Sequence, residues 1–209
     1  LAGNFSFTGQ TLTINGAGTN DADGSMTVTN AGTFTTSNAS LLDVGTEFVQ
    51  NGTGTSTIGA NITSQADGIA FATGVTLNGD ADEVIEMKTE GGDGDDIVLS
   101  KTLQNTNGES ITFDAGDSGD VTVSEAIGDL GTGDILIDDA HTVVFSSTIT
   151  ADNFTQTDGT HTTTMTGLYD LAGNFSFTGQ TLTINGAGTN DADGSMTVTN
   201  AGTFTTSNA

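Results

Sequence analysis

The residues of this chain that could do chemistry are mostly carboxylates. Of its 27 acidic side chains, 17 lie between residues 80 and 139, and the only two basic side chains, Lys88 and Lys101, lie among them. Asp93, Asp95 and Asp96 crowd one Gly-rich stretch, Asp80 and Asp82 another, and Asp117 and Asp120 a third. Carboxylates about 5 Å apart repel noticeably even at an intermediate effective dielectric. Splayed side chains, raised pKa values or a hard divalent cation would offset that repulsion. Ca²⁺ takes about 6–8 oxygens from Asp, Glu, backbone and water in adaptable geometry, which suits turns of this kind. The expectation is Ca²⁺ around Asp93, Asp95 and Asp96, with further positions around Asp80 and Asp82 and around Asp117 and Asp120. The competing reading of the same residues is a solvated acidic face that keeps the protein soluble.

Other chemistry finds little support. With no Cys there is no disulfide, thiolate metal site or Cys nucleophile. Paired-carboxylate catalysis needs a groove, positioned acids and usually a base or cation at the site, but the chain has no Arg and both Lys sit among acids. His141 and His161 stand isolated among Thr and read as exposed ladder residues. There is no Ser-His-Asp arrangement, P-loop or dinucleotide fingerprint. The chain is therefore read as non-enzymatic. Two cations against a formal net charge of −25 cannot neutralise a phosphate backbone or an anionic bilayer, so nucleic acid is excluded as a partner. No apolar run approaches the ~20 residues of a membrane span. Cations, neutral sugars, basic proteins and further copies of the chain remain.

The elements that position these residues are set by a repeat. Residues 171–209 restate residues 1–39 letter for letter, an offset of 170. The reading is one full tandem unit, 1–170, followed by the start of the next, 171–209, in a window on a longer array. Asp170 passes into Leu171 without a Gly/Ser spacer or Pro-rich hinge. Within the unit, short apolar–polar–apolar runs such as Leu12-Thr13-Ile14, Met26-Thr27-Val28, Val75-Thr76-Leu77 and Val121-Thr122-Val123 alternate with Asn-Gly and Asp-Gly turns. A period of two places the apolar pair on one face and Thr on the other. Thr is abundant and Pro is absent, which suits ladders that need every backbone donor.

Asn-Gly turns also suit hairpins, but the spacing opposes an antiparallel sandwich. Ile97, Ile111, Val121 and Ile135 open successive runs at gaps of 14, 10 and 14, so alternate openings lie 24 apart. A constant sum predicts two unequal sides of one recurring coil. The fold class expected is all-β, a parallel β-solenoid, with coils stacked at ~4.8 Å, about 8 coils and a rise of roughly 37 Å per unit. Phe5, Phe7, Phe34, Phe48, Phe71, Phe113, Phe145 and Phe154 fall at interior positions and predict stacked rings rather than a binding cage.

Two resemblances follow from these residues. The stretch from Phe154 through Thr166-Gly167 into Gly173–Gly179 and Leu182–Gly186, with Gly133–Ile137, resembles the repetitive regions of giant secreted bacterial proteins of the filamentous-haemagglutinin or large-adhesin type. That resemblance implies a right-handed β-helix, export, and a role as a cell-surface stalk, fibre or adhesin, and it brings no catalytic residues. Locally, Gly91–Leu99 resembles the calcium-binding nonapeptide G-G-x-G-x-D-x-U-x, and Asn78–Ile85 is a degenerate version. One good copy and one poor one do not make a β-roll.

The functional expectation is a structural, extracellular β-solenoid that elongates by coil stacking, with itself as its main partner. The alternatives are an adhesin passage domain with a binding tip elsewhere in the gene, surface glycans or proteins being its partners, and an ice- or glycan-binding solenoid, which a regular Thr-x-Thr array on one face would favour.

Overall fold

The computed structural model describes residues 1–38, 40–90, 95–128 and 133–207. Among the described residues the secondary structure is entirely β, and the strands pair in parallel throughout. The molecule is a β-solenoid of about nine turns, each turn laying one strand on each of three faces. The first face stacks ten strands, from Phe5–Gly9 to Phe204–Thr206, and the third stacks nine, from Gly18–Ala22 to Met196–Asn200. The second face runs from Leu12–Ile14 to Leu103–Asn105, is bridged by Ile127 alone, and resumes from Ile149–Ala151 to Asp191–Ala192.

The constant sum of the gaps is one coil: Ile97 pairs with Val121 and Ile111 with Ile135. The two-sided coil is corrected to a three-sided one. Both of the longer gaps contain a second-face element, Leu103–Asn105 in one and Ile127 in the other. Ile127 is a single bridged residue and Leu103–Asn105 buries only Leu103, so neither shows an apolar–polar–apolar run in sequence. Coil length varies with the corners. The coil from Thr163 to its partner Leu182 is short, and the coil from Ile69 to its partner Ile97 is half as long again.

Alternation decides what each strand buries. Most three-residue strands bury their outer two residues and show the middle one to solvent, as the pleat requires. The interior is a single apolar column along the axis. Phe34, Phe48 and Phe71 stack from coil to coil with ring centroids 5.9 and 5.1 Å apart, Phe145 meets Phe154 of the same turn edge-on at 5.9 Å, and Phe154 stacks on Phe175 of the next at 5.1 Å. Each such buried side chain contributes about 1.5–3 kcal/mol.

Corners are held by polar stacking. Below the first face, buried Gln50 donates through Nε2 to Asn30 Oδ1 at 2.7 Å, Asn30 Nδ2 donates to the Gly32 carbonyl at 2.8 Å, and Thr73 Oγ1 donates to Gln50 Oε1 at 3.1 Å. The same corner needs Gly54, because a Cβ there would overlap the Gly32 carbonyl oxygen of the coil before.

Candidate functional site

Of the acids expected to hold a cation, Asp80 and Asp82 lie at one corner, and Asp95, Asp96, Asp117 and Asp120 lie at another on two consecutive coils. Asp80 and Asp82 share the exposed turn between the second and third faces. That turn closes on itself: the Asp80 amide donates to Glu83 Oε2 at 2.8 Å, and Asp82 adopts a left-handed backbone at φ 61°. Asp95 and Asp96 lie at the next corner, between the third and first faces, and so do not stack on Asp80 and Asp82. Asp93 lies outside the described residues. Asp117 is exposed and its carbonyl accepts from Thr160 Oγ1 at 2.9 Å. Among the described residues no three His, Cys, Asp or Glu side chains come together in a way that could hold a metal ion.

Two of these carboxylates, Asp96 and Asp120, accept hydrogen bonds from the following coil. Asp96 Oδ1 accepts the Asp120 amide at 2.9 Å, and Asp120 Oδ1 accepts the Thr142 amide at 2.9 Å. On the third face Ser110 Oγ accepts the Asp134 amide at 2.9 Å, Asp134 Oδ1 accepts the Asn153 amide at 3.1 Å, Asn153 Oδ1 accepts the Asn174 amide at 2.7 Å, and Asn174 Oδ1 accepts the Ser195 amide at 2.9 Å. Each of these accepting residues immediately precedes the first inward apolar residue of its strand. Its side chain caps the backbone donor stacked on it, much as an Asx side chain caps a helix or turn. The signal is present in the sequence as Asn or Asp directly before an apolar opener: Asn4-Phe5, Asp96-Ile97, Asp120-Val121, Asp134-Ile135, Asn153-Phe154.

A few further charges are matched or tuned within the chain. Lys88 Nζ meets Asp114 Oδ2 at 2.7 Å, and Lys101 Nζ meets Glu125 Oε1 at 2.6 Å, each one coil on. The hydrogen bond to Asp114 is the main influence raising the Lys88 pKa. Burial opposes the charge on Glu109, but amide donors from Asn107 at 2.8 Å and Thr106 at 3.0 Å and the Asn107 side chain outweigh it and lower its pKa. Asp139 goes the other way, raised first by burial and then by Asp117, Asp158 and Asp114. His141 stacks on His161 at 4.8 Å with an interplanar angle of 11°, and its Nδ1 lies 3.3 Å from Asp120 Oδ1. The two His are thus coil-to-coil ladder neighbours.

Apolar side chains are uncovered at both ends of the described stack. At the first coil the interior opens into an apolar cavity of about 350 Å³ lined by Leu1, Phe5, Leu12, Ile14, Met26 and Leu42 among others. Leu1 is 69% exposed there. Its copy Leu171 is 1% exposed, and Phe175, the copy of half-buried Phe5, is fully buried. What covers the second copy is the end of the first. The strand Tyr169–Leu171 spans the unit boundary, Phe154 pairs with Phe175, and Thr163 pairs with Leu182. At the last coil, Met196 and Phe204 are 45% and 42% exposed.

A third surface is a set of Thr rows. On the second face Thr13, Thr35, Thr57 and Thr76 pair in one column. Thr11, Thr33 and Thr55 stand two residues before the first three, completing Thr-x-Thr rows on three consecutive coils. On the first face, Thr162-Thr163-Thr164, Thr181-Leu182-Thr183 and Thr203-Phe204-Thr205 stack in the same way.

The chain matches no protein-family model, no curated protein and no solved structure. The fold and these three surfaces define its class as a tandem-repeat β-solenoid.

Proposed function

We propose that this chain is a structural, non-enzymatic segment of an extracellular fibre or cell-surface stalk, in which tandem units fuse end to end into one continuous rod. The observation that carries this reading is the junction at Asp170 and Leu171. The boundary falls inside a strand, the apolar column runs through it, and the first unit's end seals the same residues that stand open at Leu1. A solenoid end is an unpaired sheet edge and an uncovered core, and stacking another unit removes both. An acidic, Thr-rich exterior keeps such a rod soluble and discourages lateral collapse.

Sedimentation velocity and electron microscopy on chains cut to whole units, 1–170, test this. The expected result is linear, concentration-dependent oligomers and thin filaments, abolished by Leu12→Asp at the open mouth. A unit that stays monomeric at all concentrations would overturn the reading.

A second reading has its own observation. The Thr-x-Thr rows are spaced by the strand separation in one direction and by two residues in the other, roughly 4.8 by 6.7 Å. A flat array of that kind suits an ordered lattice of hydroxyls, as in ice or a crystalline glycan. Thermal hysteresis that disappears with Thr35→Leu and Thr57→Leu would favour it.

A further inference from the structure

The segment that occurs twice, as 1–39 and again as 171–209, does not occupy the same faces on its two appearances. Phe5–Gly9 lies on the first face, and its copy Phe175–Gly179 lies on the third. Leu12–Ile14 lies on the second face and its copy, within Thr181–Ile184, on the first. Met26–Asn30 and Phe34–Thr36 move in the same way, from first to third and from second to first.

Several backbone and Asx-cap hydrogen bonds nevertheless repeat. The Ser25 amide donates to Asn4 Oδ1 at 3.0 Å, and the Ser195 amide to Asn174 Oδ1 at 2.9 Å. The Asp23 amide reaches the Leu1 carbonyl at 2.9 Å and the Asp193 amide the Leu171 carbonyl at 2.9 Å. Gly32 to Gln10 at 2.7 Å is matched by Gly202 to Gln180 at 2.8 Å, and Ser37 to Ile14 at 3.0 Å by Ser207 to Ile184 at 3.0 Å. The sequence thus specifies its own stacking but not an absolute face. The face is set by the number of strands laid down before it. The unit opens on the first face of the first coil and its copy opens on the third face of the eighth, one face short of eight complete coils.

We infer that tandem units of this protein are related by a threefold screw: each successive unit is rotated by one face, and a given face of the rod recurs only every third unit. The consequence concerns contact surfaces. Three units amount to about 23 coils, or roughly 110 Å at ~4.8 Å per coil. The Thr rows make this visible, because they lie on the second face in the first copy and on the first face in the second. A neighbouring copy of the chain that reads these rows meets them on all three sides of the rod, and on any one side only once in every three units. Lateral association through them therefore builds a three-directional bundle and not a flat layer. This inference rests on the reading of the units as one rod.

The offset itself is tested inside a single chain, so failure of end-to-end association leaves it intact. The chain has no Cys, and adjacent parallel strands bring Cα atoms within disulfide reach. Thr155 pairs with Ser176 on the third face. Without the offset, Ser176 would return to the first face and stack on Thr164, which here pairs with Thr183. Under mild oxidation, Thr155→Cys with Ser176→Cys should cross-link to near completion, as should the control Thr164→Cys with Thr183→Cys. Thr164→Cys with Ser176→Cys should stay reduced. A cross-link between positions 164 and 176, or none between 155 and 176 while the control forms, overturns the proposal. In chains of six or more units, cryo-electron microscopy should show successive units superposing after about a third of a turn and a rise of roughly 37 Å. Superposition by translation with only the gradual twist of the stack would overturn it equally.

Discussion

At the residue scale the acids are building material first. Asp120 Oδ1 accepts one amide of the coil above, and an amide oxygen would serve as well. Asp120→Asn should therefore leave the chemical-denaturation midpoint nearly unchanged, while Asp120→Ala should cost about 1–2 kcal/mol by orphaning the Thr142 amide. Loss of stability in the Asn variant equal to that in the Ala variant would show that the charge, toward His141 Nδ1 at 3.3 Å or toward a cation, matters more than the acceptor. Two other carboxyls should separate by pH. Glu109 has a lowered pKa, so its contribution is complete above the unfolded value of about 4.3 and disappears as pH falls through the folded value. Asp139 has a raised pKa, so its ionisation destabilises the fold as pH rises past the unfolded value of about 3.9. Glu109→Gln should lower the midpoint at pH 7 and Asp139→Asn should raise it, with both differences shrinking near pH 3. A rise for Glu109→Gln or a fall for Asp139→Asn at pH 7 would contradict these assignments.

At the element scale, coil stacking restricts what a corner can hold. Gly54 faces the Gly32 carbonyl of the preceding coil with no room for a Cβ. Gly54→Ala should destabilise by about 1–3 kcal/mol, the usual cost of overpacking, measured by denaturant titration. A neutral outcome would mean that the corner can open without disturbing the Asn30–Gln50 ladder. This scale also explains what could be read in advance. The parallel period was legible because Ile97, Ile111, Val121 and Ile135 are the first inward apolar residues of strands on two faces, and alternate ones lie one coil apart. Between those residues the second face was not, since Ile127 contributes a single bridged residue and carries no alternation. Its neighbour Leu103–Asn105 is three residues long but buries only Leu103. The Asx caps were written in the sequence as Asn or Asp before an apolar opener, but their meaning depends on the donor one coil away. The face offset was illegible for a related reason. Corners make the coil from Ile69 to Ile97 much longer than the coil from Thr163 to Leu182, so chain length does not count faces.

At the scale of the whole molecule, stability in a stacked repeat is close to a sum of nearest-neighbour terms, so end coils open most easily. The duplicated segment turns this into an internal control. Phe5–Ile14 lies in the open first coil, while Phe175–Ile184 is sealed between coils. The order reverses for the next segment: Met26, Val28 and Phe34 are buried, whereas Met196 and Phe204 are 45% and 42% exposed. Proteolytic peptides from the two copies are chemically identical, so composition and intrinsic exchange rate cancel. Hydrogen exchange read by mass spectrometry should split each duplicated peptide into two isotope envelopes of equal intensity. The slow envelope for residues 5–14 and 175–184 comes from the second copy, and that for 26–36 and 196–206 from the first. Substituting Thr8→Val or Thr199→Val marks one copy by mass and assigns the envelopes. A single envelope at every labelling time would mean that both ends are as well covered as the middle, and the open mouth at Leu1 would then have no energetic weight in driving one unit onto the next.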